Sequence, residues 1–359
     1  MKDWALGLWF VGWSLVRVQQ LGWTGVQWDL SFIGRDFWIY RNAGLAVLDG
    51  TDPWLASFAW NGTDWHFAAP PIAAQLFVPF ALIAGSLSLI LFVALSVGAA
   101  LAALRALRLP ALWLLFPPMT EGILAANPQI LLFGLIVIGL APATVPTSRH
   151  RIGLAGWLVA RAVAVGLKIY GVVPIVARRE WRALAASAGL VALSLVIAPD
   201  LWVRYLTGFG DISSRILSES KGGLSAGLFL EPSIFGTLIP SETAAFAVGL
   251  LLYGLMAGLV LLAAVRDVEG AAWIAAPLLW PAAEYHLATM AIPAARRLAV
   301  LLIAVPTVPT YLFGLIVLTY QVTAGHRPLA ATKPPVGLMA WLRGLTRSPG
   351  SAVVARDDA

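Results

Sequence analysis

The chain contains no cysteine, only four histidines, and few charged residues, 12% of the total. Without cysteine, disulfides, a thiolate nucleophile and a cysteine-ligated metal are all excluded. The scarcity of charge excludes an ordinary soluble domain, in which about a quarter of residues are charged. What fills the other positions is apolar: 60% of 359 residues are hydrophobic and the mean hydropathy is +0.83. This is the composition of a polytopic membrane protein. The net charge of +6 does not point to nucleic acid, because the basic residues sit in short loops between apolar runs, as membrane orientation requires.

A spanning helix needs roughly 20 apolar residues. On that rule the sequence divides into an all-α membrane bundle of about ten spans over residues 1–322, followed by a Pro-, Ser- and Arg-containing tail, 323–359, expected to lack structure. Two large polar segments, 27–66 and 200–242, interrupt the apolar pattern. Residues 67–104 are too long for one span and divide into an interfacial helix to about Ile83 and a span from about Leu87. Residues 151–177 are too long for one helix and too short for two. They predict two abbreviated helices meeting near Lys168, tolerated only where backbone lines protein or a wet cavity.

Charge sets the orientation. With a cytoplasmic amino terminus, Arg105, Arg108, Arg178, Arg179, Arg182, Arg266 and the basic tail fall on the cytoplasmic side, as the positive-inside rule asks. Both polar segments then face outward, with Asp29, Asp36, Glu121 and Glu284. Both termini are expected inside, in the cell (plasma) membrane, with any chemistry on the outer face.

Within the first polar segment Asp36 opens a short helix, with Tyr40 one turn on and on the same face. A carboxylate in a cavity beside Arg35 and Arg41 can act as general base on a hydroxyl; equally, it can be a helix N-cap in a solvated loop. Asp29 is the competing acid. Asp52-Pro53-Trp54 reads as a turn with an interfacial tryptophan. Asn61-Gly62-Thr63 matches the glycosylation acceptor triplet and carries no assigned role.

Lys168, at the break, is an ionisable residue of the kind that membranes tolerate for function, here for a lipid phosphate, or else a lysine snorkelling to the interface. Arg161, seven residues earlier on roughly the same face, is a second phosphate contact or the partner of a buried acid. Glu121 and Asn127 line a cavity or cap helices, and Arg204, Arg215 and Lys221 bind an anionic head group or solvate their loop. Glu284-Tyr285-His286 places an acid and an imidazole two residues apart. That spacing is poor for a metal site, which favours a helical i, i+4 pair and a third ligand, so hydrogen bonding to substrate or phosphate is expected, against a plain interfacial histidine.

The order of these pieces resembles glycosyltransferase family 87, the polyprenyl-phosphate-mannose-dependent branch of the GT-C superfamily, over roughly residues 30–290. DFWIYRNAGLAVLDGTDPW is similar to that family's opening D-x-x-x-Y…G-x-D-P-Y, and FAAPPIAAQLFVPFALI to its paired-proline segment. NPQILLFGLIVIGL, containing Asn127 and Gln129, resembles its G-Q-x-N-x-x-L helix, LKIYGVVPIVARREWRA its K-P-x-P and basic stretch, and PLLWPAAEYHLATM its P-x-S-W-x-H-H element. Ile169 replaces the proline after the lysine, and of two histidines His286 alone remains.

The resemblance implies a GT-C-like bundle with a helical first outer loop. It also implies an inverting transfer of a hexose, mannose first, from a polyprenyl-phosphate sugar to a lipid or glycan acceptor. Asp36 is then the base, with Lys168, His286 and Arg161 at the donor phosphate and Tyr40, Arg41, Asn127, Gln129 and Glu284 around the substrates. Membrane lipids are the remaining partners; no cofactor and no metal is expected. The rival reading is a transporter or lipid flippase, against which the sequence shows no internal repeat of the kind common in transporter folds.

Overall fold

The computed structural model describes residues 3–23, 27–60, 62–138, 150–219, 224–329 and 336–346, without the side chains of 3, 150–152 and 343–346. Arg149, Lys221 and Asn61 lie outside the described residues. Helices α1 (Asp3–Gly22) and α2 (Arg35–Leu48) precede a hairpin of β1 (Ser57–Trp60) and β2 (Thr63–His66), antiparallel with Ser57 opposite His66. Then follow α3 (Pro71–Ala81), α4 (Gly85–Ala106), α5 (Pro117–Leu124), α6 (Pro128–Ile138), α7 (His150–Leu167), α8 (Val172–Ala177) and α9 (Trp181–Ile197). The second polar segment supplies α10 (Pro199–Thr207) and α11 (Phe209–Glu219). Helices α12 (Glu242–Arg266), α13 (Val268–Leu279), α14 (Arg297–Ile303), α15 (Val308–Thr323) and α16 (Leu338–Thr346) complete the chain.

The fold is of the all-α membrane type. Helices α4 and α12 are long and apolar enough to cross a bilayer, and α9 with α10, bent by 100° at their break, makes a third if taken as one span. The expected ten spans are not matched by helices of spanning length among the described residues, because proline and polar breaks cut the apolar runs. The expected span 271–290 ends as α13 at Leu279, ahead of Pro281, and resumes as a 3-10 stretch, Tyr285–Ala294; the one over 298–321 is divided into α14 and α15 around Pro306. The division of 67–104 into α3 and α4 is observed, as is the break at Lys168, whose backbone is extended (φ −151°, ψ 121°). Beyond residue 323, the described part of the tail holds a helix, α16, rather than open chain.

Two hydrophobic clusters form the interior. The larger gathers around α6, α13, α15 and the 285–294 stretch, with Trp273, Tyr285 and Tyr311 fully buried. The smaller surrounds α2 and α3, where Phe37, Phe77, Phe80 and Phe92 stack with ring centroids 5.3–6.3 Å apart. Helices α4 and α6 approach so closely at Gly134 that a Cβ there would lie 2.4 Å from that of Ala99, which is why a small residue is needed. Trp54, expected at the interface, is instead buried in the smaller cluster, its indole N–H donating to the Ala69 carbonyl at 3.1 Å.

Candidate active site

The seam between the two clusters is polar. Helix α2 begins after Gly34, whose φ of 77° is a conformation that glycine adopts at no steric cost. The amides of Gly34 and Asp36 donate to the carbonyls of Leu124 and Ala125 at 2.8 and 3.0 Å, so the open amino end of α2 and the open carboxyl end of α5 satisfy one another. This junction holds Asp36 at a fixed place. It also decides against the N-cap alternative, since Gly34 occupies the cap position without a side-chain cap.

The Asp36 carboxylate is 5% exposed and held on both oxygens. The Arg35 Nε donates to Oδ1 at 2.7 Å and the Asn127 Nδ2 to Oδ2 at 2.6 Å. Asn127 itself cannot turn away, because its Oδ1 accepts from the Gln129 amide at 2.8 Å and so caps α6, with Pro128 in the first turn. Burial alone would raise the Asp36 carboxyl, but the Arg35 guanidinium, the neighbouring His286 and the Asn127 donor together hold it below the usual carboxylate range. Arg35 reaches further, donating from Nη2 to Glu284 Oε2 at 2.7 Å, and its guanidinium carbon lies 5.0 and 4.6 Å from the rings of Trp60 and Trp65 on the hairpin. A cation resting on two adjacent indoles is held in place without giving up its charge.

His286, 3% exposed, comes from the 3-10 stretch that follows Trp280-Pro281. Its Nδ1 lies 3.7 Å from Glu121 Oε1 and 3.6 Å from Glu284 Oε2, with no hydrogen bond on that nitrogen. Glu121 is in turn bound by Arg17 of α1, Nε to Oε2, at 2.5 Å. Lys168, at the break, places its Nζ 5.7 Å from the centre of the Tyr40 ring.

Asp36, Tyr40, Asn127, Lys168, Glu284 and His286 all line one cavity of about 540 Å³. Helix α11 adds Phe209, Ile212 and Ile216 to its lining, together with Ser213 and Glu219. Two ties draw that helix toward the first polar segment: Glu219 accepts from the His66 amide at 3.1 Å and meets His66 Nδ1 at 2.6 Å, and Arg215 donates to the Trp54 carbonyl at 2.8 Å. The cavity thus offers both hydrogen-bonding charged groups and hydrocarbon.

Three of the expected residues are not brought to it. Arg161 is fully buried, paired with Glu180 (Nε to Oε2, 2.8 Å) and donating to the Leu135 carbonyl at 2.9 Å and to that of Ile136, so it is the partner of a buried acid, as the alternative had it. Arg41 donates to the Ala81 and Ile83 carbonyls at 3.3 and 3.1 Å, closing the end of α3. Gln129, also fully buried, accepts from the Tyr170 hydroxyl and stands behind the cavity wall. Asp29 accepts from the Ser31 amide at 2.8 Å in a local turn. Arg204 lines a separate apolar groove of about 700 Å³ between α3, α9 and α10.

Oxygens of Asp36 and Glu284 and a ring nitrogen of His286 lie within 4.8 Å of one another, a spacing that suits a cation. Arg35 already donates to both carboxylates, however, and supplies a positive charge between them. The two tryptophans of the hairpin, Tyr170 and Arg17 belong to the site and were not assigned to it from sequence, while Arg35 was read only as a neighbour of Asp36 and Glu121 only as lining a cavity or capping a helix. For Arg35 the signal was its place next to Asp36; for the hairpin it was the Asn-Gly dipeptide between aromatic runs.

Comparison with the curated proteins and with the solved structures gives no match. The sequence model of glycosyltransferase family 87 matches residues 67–279, more than half of the chain and all of α3 to α13. The protein is therefore a membrane glycosyltransferase and belongs to glycosyltransferase family 87.

Proposed function

We propose that this glycosyltransferase moves a hexose, mannose first, from a polyprenyl-phosphate sugar to a lipid or glycan acceptor on the outer face of the cell membrane, with inversion at the anomeric carbon. One observation carries the reading: a buried carboxylate, a lysine and an imidazole, from segments remote in sequence, line a single cavity to which α11 adds the apolar side chains Phe209, Ile212 and Ile216. An amphipathic donor asks for such a cavity, with its sugar phosphate beside Asp36 and Lys168 and the first isoprene units along Phe209, Ile212 and Ile216.

Asp36 takes the proton of the acceptor hydroxyl as that oxygen attacks the anomeric carbon. The bond from that carbon to the phosphate oxygen breaks, and its electron pair leaves with the polyprenyl phosphate. A phosphate leaving group needs a cation more than it needs a general acid, and Lys168 is placed to supply one. His286, with a buried nitrogen free of hydrogen bonds, is the second group available to the phosphate. One carboxylate then suffices, in contrast to the carboxylate pair of glycoside hydrolases. Tyr40, Asn127 and Glu284 line the sugar end; Arg161, Arg41 and Gln129 support the walls.

The test is transfer of radiolabelled mannose from polyprenyl-phosphate mannose in membranes carrying either the wild type or Asp36→Asn. Loss of transfer by about a hundredfold or more is expected, in the range that general-base catalysis supplies. Equal transfer by both proteins removes Asp36 as the base.

A further inference from the structure

His66, at the end of the hairpin, lines the cavity and has no part in the transfer described above. Two contacts with one carboxylate hold it: Glu219 Oε2 accepts from the His66 amide at 3.1 Å, and Oε1 meets the ring Nδ1 at 2.6 Å. The imidazole remains 24% exposed, the carboxylate 9%. The backbone is fixed as well, because His66 pairs with Ser57 across the hairpin and the next amide, that of Phe67, donates to the Ala56 carbonyl at 3.0 Å. Position and ring orientation are therefore both set.

A carboxylate can only accept hydrogen bonds. In the neutral ring, Nδ1 must then be the nitrogen that carries the proton, and the lone pair is left on Nε2. With Nδ1 turned to Glu219, the part of the ring left to the cavity, from Cδ2 through Nε2 to Cε1, bears that lone pair. It is an uncharged acceptor. Lys168, by contrast, is a cation, and the carboxylates of Asp36 and Glu284 already accept from Arg35. An uncharged acceptor suits a ligand that brings a hydroxyl hydrogen, and not a phosphate.

The surroundings of His66 fit a sugar. Tyr205, stacked at 5.5 Å on the buried Trp54, lines the cavity, as do Trp65 and the hydroxyl-bearing Ser213. Fixed aromatic faces with a few polar groups between them match the C–H face and the hydroxyls of a pyranose. The Trp65 ring also lies 4.6 Å from the guanidinium carbon of Arg35, whose Nε holds Asp36 at 2.7 Å, so this part of the cavity adjoins the base. We propose that His66, positioned by Glu219, recognises the acceptor: its Nε2 accepts a hydrogen bond from a hydroxyl of a pyranose lying against Tyr205 and Trp65. The proposal rests on the function given above and makes the acceptor a sugar, either a free glycan or the head of a glycolipid.

NMR of the full chain in detergent, labelled on its imidazole nitrogens and held at about pH 8, above the ordinary imidazole range, tests this. The signals absent from H66N belong to His66. They should show the proton on Nδ1, and methyl α-mannoside, added without any donor, should move the Nε2 signal. E219Q keeps an oxygen for the His66 amide and turns an N–H₂ group to Nδ1, which must then accept. The proton should pass to Nε2 and the response to the mannoside should be lost, although the tie between α11 and the hairpin remains. In transfer assays H66N keeps an amide donor for Glu219 but lacks Nε2. It should raise the KM of methyl and octyl α-mannoside alike by about two- to tenfold, the effect of one neutral hydrogen bond, with donor KM unchanged. A lower KM for the octyl compound marks the sugar as a lipid head; equal values mark a free glycan. A proton on Nε2 in the wild type, an Nε2 signal indifferent to the mannoside, or a rise in donor KM in place of acceptor KM overturns the proposal. Absence of all transfer by the wild type counts against the function given above, and the signal measured without donor still decides the role of His66.

Discussion

Asn127 and Asp36 are 91 residues apart in sequence, and their side chains meet at 2.6 Å. The amide carbonyl is engaged at the start of α6, which leaves its N–H₂ group turned toward the carboxylate. Asp36 is thereby aimed by the fold.

Replacing Asn127 by alanine should therefore slow transfer without abolishing it. A hydrogen bond to a charged group contributes about 1.5–3 kcal/mol, so kcat should fall by about tenfold or more. Donor KM should change little, because Asn127 acts through Asp36. Radiolabel transfer at several donor concentrations separates the two parameters. A rise in KM with kcat unchanged would make Asn127 a substrate contact instead.

Arg35 controls the charge on Asp36, and the sign can be worked through. The folded-state carboxyl lies below its ordinary value, so the stability it contributes is present above the unfolded value, near 3.9, and is lost as pH falls through the folded one. In Arg35→Gln the burial of Asp36 is less opposed and its carboxyl rises. The acid limb of the kcat/KM profile should then move to higher pH, with transfer near neutrality reduced less than transfer at pH values around that limb. A limb that stays in place would show that Arg35 does not keep Asp36 ionised.

Much of this arrangement was legible in the sequence, for reasons that can be named. The lysine break was visible because Lys168 interrupts apolar runs too long for one helix, and membranes admit such a break only beside protein or water. The Asp36–Tyr40 face was visible because the helical repeat is local. Arg161 was misplaced for the opposite reason: its partner Glu180 lies beyond the α7–α8 break, and only the return of the chain brings the two within 2.8 Å. The helix breaks were not legible, because length and hydropathy do not register how proline divides α13 from the stretch that carries His286. The hairpin went unread because Asn61-Gly62-Thr63 was weighed only as a glycosylation triplet and given no role, whereas Asn-Gly between aromatic runs is also a turn signal; Gly62 has a φ of 72°.

Transfer should be insensitive to a metal chelator. Asp36, Glu284 and His286 are close enough to share an ion, but Arg35 holds one oxygen of each carboxylate at 2.7 Å. A divalent ion would have to displace a guanidinium braced against Trp60 and Trp65. Activity measured before and after dialysis against EDTA should agree. Loss on chelation with recovery on adding magnesium or manganese would show that the ion, and not Arg35, completes the site.

Arg161 offers the clearest separation of structure from catalysis. It is buried among α6, α7 and the segment that follows α8, where it satisfies Glu180 and two backbone carbonyls. In Arg161→Met the methionine fills much of the volume but leaves Glu180 with Arg178 as its one remaining ion-pair partner among the described residues. Breaking a buried pair by removing one member costs about 3–5 kcal/mol, so the melting temperature of the detergent-solubilised protein should drop clearly. Changing Glu180 to leucine in the same chain removes the stranded charge and should recover part of the loss, as contacting residues couple in a double-mutant cycle. Donor KM should be unchanged in the molecules that remain folded, because Arg161 does not line the cavity. A higher donor KM with an unaltered melting temperature would return Arg161 to the phosphate site.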